Sequence, residues 1–162
     1  MKKITVLLAF IGCLLLVISG YTPGNKAQDI KLYYVDSSMQ RLIPTSASIK
    51  ASNPDTAAKE ALDMLVNGMK NNPKIMRIMP DVKKGLTVRV KNKTAYVNMS
   101  SEFVSEHSDA RQHELLTIYS IVNSLTSIDG IVNVKFTIDN KEQKDFKGFC
   151  DMRETFIPDY YV

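Results

Sequence analysis

Two histidines and the acids around them are the first residues to weigh for chemistry. His107 and His113 lie between Glu106 and Glu114, with Asp109 between them, and these side-chain types can ligate a metal ion. The spacing argues against it. A helical zinc pair places its ligands four residues apart on one face, whereas His107 precedes the expected helix cap and His113 lies inside the helix. The group reads instead as exposed histidines at an acid-rich helix start, which the helix dipole favours. Ser100, Ser101 and Ser105 near His107 are the types of a nucleophile and its base, but nearness in sequence is not geometry, and serines are common at strand exits. Met69, Met76 and Met79 read as core fillers rather than soft metal ligands. The sequence has no glycine-rich phosphate loop, nucleophile elbow or paired-cysteine motif. These residues point to a non-enzymatic domain with neither metal nor cofactor.

The two cysteines narrow the setting. Lys2 and Lys3 precede an apolar run from Ile4 to Ile18, followed by Ser19-Gly20 and a polar stretch with Pro23, the layout of an export signal. As a helix, about 17 residues would span roughly 26 Å, slightly less than a hydrocarbon core of about 30 Å. Residues 1–20 are therefore expected to be a signal peptide or an N-terminal membrane anchor, with 21–29 a linker and 30–162 one domain. Cys13 ends Phe10-Ile11-Gly12-Cys13, which looks like a lipoprotein processing box, although an apolar LLLVIS follows where such proteins turn polar. Cleavage, retention and lipidation at Cys13 all stay open. Without Cys13, Cys150 is the one remaining thiol and the domain must hold without an internal disulfide. Setting Lys2 and Lys3 aside leaves 19 basic against 17 acidic side chains from the 21 and 17 of the whole chain, too mild a balance to argue for nucleic acid.

The elements follow from periodicity. Ile30–Val35 has the β-branched and aromatic content of a strand, and Leu42–Ile49, which contains Pro44, reads as an edge strand or ribbon. Asn53 or Ser52 caps a helix over 54–69, with Pro54 at its first position and Ala58, Ala61, Leu62, Leu65 and Met69 as its buried stripe. Ile75–Gly85 crosses the core irregularly. Leu86–Val90 and Ala95–Met99 alternate around Asn92-Lys93 as a hairpin. A second helix starts near Ser108-Asp109, with Asp109 as cap and Gln112 completing a box. It presents Leu115, Ile118, Val122 and Leu125, then passes through Asp129-Gly130 into the alternating strand Val132–Ile138. The order is strand, helix, hairpin, helix, strand, an α+β domain with helices on a small sheet. Arg89, Lys91, Tyr96 and Lys135 fall on turns or the face away from the helices and form the candidate interaction surface. The aromatic tail after Lys147 is expected to pack on the domain.

Several stretches together carry a family resemblance: LYYVD (32–36) with LIP (42–44), AAKEALDMLVNG (57–68), IMPDVKKGLTVRVKNKTAYVNMSSEF (78–103) and IVNSLTSIDGIVNVKFTIDN (121–140). In order and spacing the chain resembles the GerMN domain of sporulation and spore germination proteins, over most of the stretch from Leu32 to about Phe156. The resemblance implies two helices on one face of a small sheet, β-α-β-β-α-β-like and similar to ring-building motifs. It also implies an exported protein, membrane-associated or secreted, that joins an envelope complex through protein-protein contacts with other envelope or sporulation proteins or with itself. The alternative is a module for a cell-wall or small ligand. The family brings no catalytic residues.

Overall fold

The computed structural model describes residues 26–69, 72–82 and 85–162. The segment expected to serve as signal peptide or membrane anchor, with Cys13, lies outside the described residues. Among those described, no helix is long and apolar enough to cross a membrane.

The described residues form six strands and three helices, in chain order β1 (Lys26–Asp36), β2 (Leu42–Ala51), α1 (Pro54–Asn67), β3 (Ile75–Met76), β4 (Leu86–Lys91), β5 (Thr94–Met99), α2 (Ser101–Glu106), α3 (Arg111–Thr126) and β6 (Asn133–Ile138). The α+β class and the strand, helix, hairpin, helix, strand order hold, but the strands divide between two sheets, β2-β1-β3 and β4-β5-β6. The second sheet joins an antiparallel hairpin to a parallel β6, and β2 is an edge strand, as expected from Pro44. β1 starts at Lys26, inside the stretch expected as linker, because Lys26 to Asp29 pair with Ala51 to Ser48.

Local chemistry sets the boundaries. Asn53 caps α1, its Oδ1 accepting from Thr56 N–H at 2.9 Å, with Pro54 in the first turn. Gly68 ends the helix at φ 64°, a left-handed position that glycine takes without a Cβ penalty. Asn92 and Lys93, both at positive φ, form the two-residue turn between β4 and β5. Gly130, at φ 90°, packs where a Cβ would stand 3.1 Å from Pro54 Cγ, so the turn into β6 needs glycine for both conformation and room.

Helix α2 was not expected. Ser100 Oγ caps it by accepting from Phe103 N–H at 3.0 Å, and Phe103 is fully buried. The start of α3 also differs from expectation. Ala110 occupies the cap with no side-chain bond, and Asp109 instead pairs with Lys147 at 2.6 Å.

Helices α1 and α3 each touch both sheets and join them into one core. Val97, Met99, Phe136, Ile118, Ile121 and Leu125 are almost wholly buried, and each large side chain of this kind contributes about 1.5–3 kcal/mol. Along α3 and at its C-cap, Ser120, Ser124 and Ser127 face the flank of β1 that β3 leaves free. Ser120 Oγ donates to Tyr33 C=O at 2.6 Å, Ser124 Oγ accepts from Tyr33 N–H at 2.8 Å, and Ser127 Oγ accepts from Lys31 N–H at 3.1 Å. Hydroxyls spaced one helical turn apart thus stand where a further strand would pair.

The tail packs as its aromatics suggested. Val134 and Phe156 exchange backbone hydrogen bonds at 2.9 and 2.7 Å, and Met152 is fully buried. Buried Asn123 clamps Asp159, donating to its C=O at 2.6 Å and accepting from its N–H at 3.0 Å.

Candidate functional site

Alternation along β4-β5-β6 sends Val88, Ala95, Val97, Val134 and Phe136 into the core and leaves the opposite face polar. Register brings three of the four candidate surface residues into one row across that face, Arg89 opposite Tyr96 and Tyr96 opposite Lys135. Lys91 lies two residues beyond Arg89 on the same strand face. Tyr96 is 45% exposed, and a shallow depression is lined by Asp55, Arg89, Val90, Lys91 and Tyr96.

Lys135 has a different role from the other three. Its Nζ donates to Met152 C=O at 3.2 Å and to Arg153 C=O, and lies 3.7 Å from Glu142, leaving the side chain 11% exposed. It fastens the C-terminal segment. Arg89 and Lys91, by contrast, are exposed and form no ion pair among the described residues. Sequence reasoning passed over Lys93, which the turn leaves exposed next to this cationic edge. A guanidinium, ammonium groups and a phenol ring supply donors, positive charge and a stacking surface, which is the chemistry of binding anionic groups.

The edge of β4 matters as much as its face. Lys91 and Thr94 flank the two-residue turn as a hydrogen-bonded pair, so Arg89 and Thr87 also turn their backbone groups toward β5. Leu86, Val88 and Val90 point theirs outward. Val90 N–H donates to Asp55 Oδ1 at 2.9 Å. The Lys59 ammonium and then this N–H hold the Asp55 carboxyl below the usual carboxylate range. Beside Leu86 and Val88 lies a groove of about 500 Å³ whose other wall includes Lys59, Leu62 and Asp63 of α1.

The histidines form no metal site, and among the described residues no group of three or more His, Cys, Asp or Glu could hold a metal ion. His107, expected to be exposed, is buried: Nδ1 lies 2.8 Å from Ser108 C=O and Nε2 2.8 Å from Thr117 Oγ1, with the ring edge-on to Phe146. Burial holds its pKa below the ordinary value. No serine lies in hydrogen-bond contact with this ring through its hydroxyl, and Ser100 is occupied as a helix cap. Glu114 is fully buried. Its Oε1 accepts from Cys150 N–H at 2.6 Å and Phe149 N–H at 3.3 Å, which pins the loop before the tail to α3. Burial and the neighbouring Glu114 carboxylate push the Cys150 thiol up to about 12, where it is unreactive.

A second concave region adjoins Tyr34, a cavity of about 230 Å³ lined by Tyr34, Leu65, Met69, Met76, Met79 and Ser120 among others. Only Met79 of the three methionines fills core. Met69 and Met76 are 40% and 41% exposed at the cavity rim, because α1 ends at Asn67 and β3 is only two residues long.

Residues 31–144 match the family model described as Germane: Sporulation and spore germination. The chain is similar to the first GerMN domain of the sporulation protein GerM from Bacillus subtilis, with 22% identity over 78% of this chain and 94% of that one and a TM-score of 0.58. It is similar to a candidate lipoprotein from Clostridium perfringens, with 22% identity, coverage of 86% and 92%, and a TM-score of 0.57. Against the tandem GerMN domains of Bacillus subtilis GerM the TM-score is 0.61 at 22% identity, with 80% of this chain and 45% of that one covered, so the chain spans about half of the tandem structure. No curated protein matches the chain. The likeness to these structures is one of fold.

Proposed function

The chain belongs to the Germane family of sporulation and spore germination domains, and from that premise we propose that it is an extracytoplasmic, membrane-associated module that helps to assemble a sporulation or germination envelope complex through protein-protein contacts. The family description names a process and no reaction. The location is supported by the basic and apolar N-terminal segment and by the description of the Clostridium perfringens neighbour as a candidate lipoprotein. The observation that carries the reading is the face of β4 and β5 and the edge of β4, uncovered among the described residues, where Arg89, Lys91 and Tyr96 stand together, while buried Glu114 and His107 are taken up by internal hydrogen bonds.

The test is cross-linking in sporulating cells, followed by capture of the full chain from membranes and mass spectrometry, beside a vegetative control. Recovery of sporulation or germination proteins in the sporulating sample alone supports the proposal. Recovery of the same set from both samples counts against it. The Tyr34 cavity favours a second reading, binding of a small apolar ligand. A bound small molecule in place of captured proteins would move the assignment there.

A further inference from the structure

The β4 edge specifies its occupant more closely than a role in assembly alone requires. Taking that proposed assembly role as the premise, we infer that β4 docks an acidic, extended segment of a partner protein, which joins the sheet as a fourth strand with acidic side chains at alternate positions.

Three observations carry this. Among the described residues, the outward backbone groups of Leu86 and Val88 face a groove instead of a strand, and its volume of about 500 Å³ suits a short run of extended chain. Asp55 Oδ1 already accepts from Val90 N–H, where a neighbouring strand's carbonyl would sit, so strand pairing is begun at one end and left open over the rest. Arg89 and Lys91, two residues apart on the exposed face, give the edge its charge. An added strand lies about 4.8 Å away and sends alternate side chains to the same face. An acidic residue opposite Arg89 pairs with it directly, and the next on that face stands opposite Lys91. The intervening side chains turn toward the α1 wall, where Lys59 is already paired with Asp55 and Leu62 and Asp63 stand beside it, which favours small or apolar residues there.

A second copy of this chain is a poor occupant, since none of its described strands carries acids at alternate positions. An anionic polymer would satisfy the charges without using the backbone edge.

The test uses the full chain in detergent with four probes: a peptide of alternating glutamate and valine, its isomer with the glutamates in one block, an alternating lysine-valine peptide, and inorganic polyphosphate. The alternating acidic peptide is expected to bind best, to slow hydrogen exchange at the Leu86 and Val88 amides, and to weaken about tenfold in an Arg89→Glu, Lys91→Glu chain, the size of two favourable exposed ion pairs. That chain should prefer the lysine peptide. Equal binding of the block isomer or polyphosphate without protection of Val88 overturns the inference in favour of a polyanion, and failure of every probe overturns it outright. If the parent and reversed chains capture the same sporulation proteins from cells, the inference falls and the proposed function stands. If neither captures any, the function falls as well.

Discussion

Among the described residues each sheet has a strand flank with no strand beside it, that of β1 beyond its two-residue pairing with β3 and that of β4, and the two are treated in opposite ways. The β1 edge is closed by Ser120, Ser124 and Ser127, whose hydroxyls take up the backbone groups of Tyr33 and Lys31. The β4 edge is closed at one point, Val90 N–H on Asp55, and faces a groove elsewhere. Both strands offer the same peptide chemistry. They differ in what lies alongside: a helix with hydroxyls at one-turn spacing for β1, and an exposed cationic face for β4. A buried edge needs internal partners because an unpaired amide out of water costs about 1–3 kcal/mol. An exposed edge can wait for a partner, since water pairs with it in the meantime.

This contrast is broken most directly by Ser120→Ala with Ser124→Ala. The double variant leaves both backbone groups of buried Tyr33 unpaired, at about 1–3 kcal/mol each, and its Tm should fall by on the order of 10 °C. Asp55→Ala at the other edge should cost only about 1 kcal/mol, because Val90 can turn to water and the Lys59 pair is at the surface. Equal losses measured by thermal melting would mean that the β4 edge is as closed as that of β1.

Asn123→Ala comes next. It removes both hydrogen bonds to Asp159, which should cost about 2 kcal/mol, and the tail from Phe156 onward should exchange its amides faster. A loss of stability with unchanged tail exchange would mean that Asn123 acts through packing alone.

The third effect depends on pH. His107 has a lowered folded value, so its contribution is complete above the unfolded value of about 6.5 and declines as pH falls from there toward the folded value, where burial must be broken to charge the ring. Lys147 and His113 oppose the charge, and Glu114 favours it. Denaturant titrations at pH 7.5 and 5.5 should show the chain less stable at the lower pH, with a smaller difference in His107→Gln. An unchanged difference in the variant would place the pH dependence elsewhere.

Much of this was legible because the chain's periodicities are clean. The Asn53 cap, the Asn92-Lys93 hairpin, the Gly130 turn and the alternation of β6 each follow from local rules that the fold obeys. Helix α2 was missed although its Ser100 cap is local, but several other misses share one cause, namely partners outside the local pattern. Asp109 looks like a cap until Lys147 claims it, and His107 looks exposed until Thr117 and Phe146 close over it. Lys135 looks like a surface cation until the tail supplies Met152 and Arg153 carbonyls. The serine stripe of α3 was hidden for the same reason, since serine within an apolar helix gains a role only once the strand it serves is in place. For the surface itself, the two-residue spacing of Arg89 and Lys91 was visible, but the open edge beside them follows only from the register of β4 against β5.

The smallest expected effect on stability is the most informative about that surface. Arg89→Glu with Lys91→Glu should change unfolding free energy by no more than about 0.5 kcal/mol, the usual range for exposed positions outside any network. Neither side chain has an ion pair among the described residues, and both lie on the face away from the core. Asp55 is near enough to sense Arg89, so a slight loss from repulsion is expected and should shrink as salt is added. A drop of several kcal/mol in denaturant unfolding would mean that these cations hold the α1 start against β4. The edge would then be a finished structural contact like that of β1, with nothing left over for a partner.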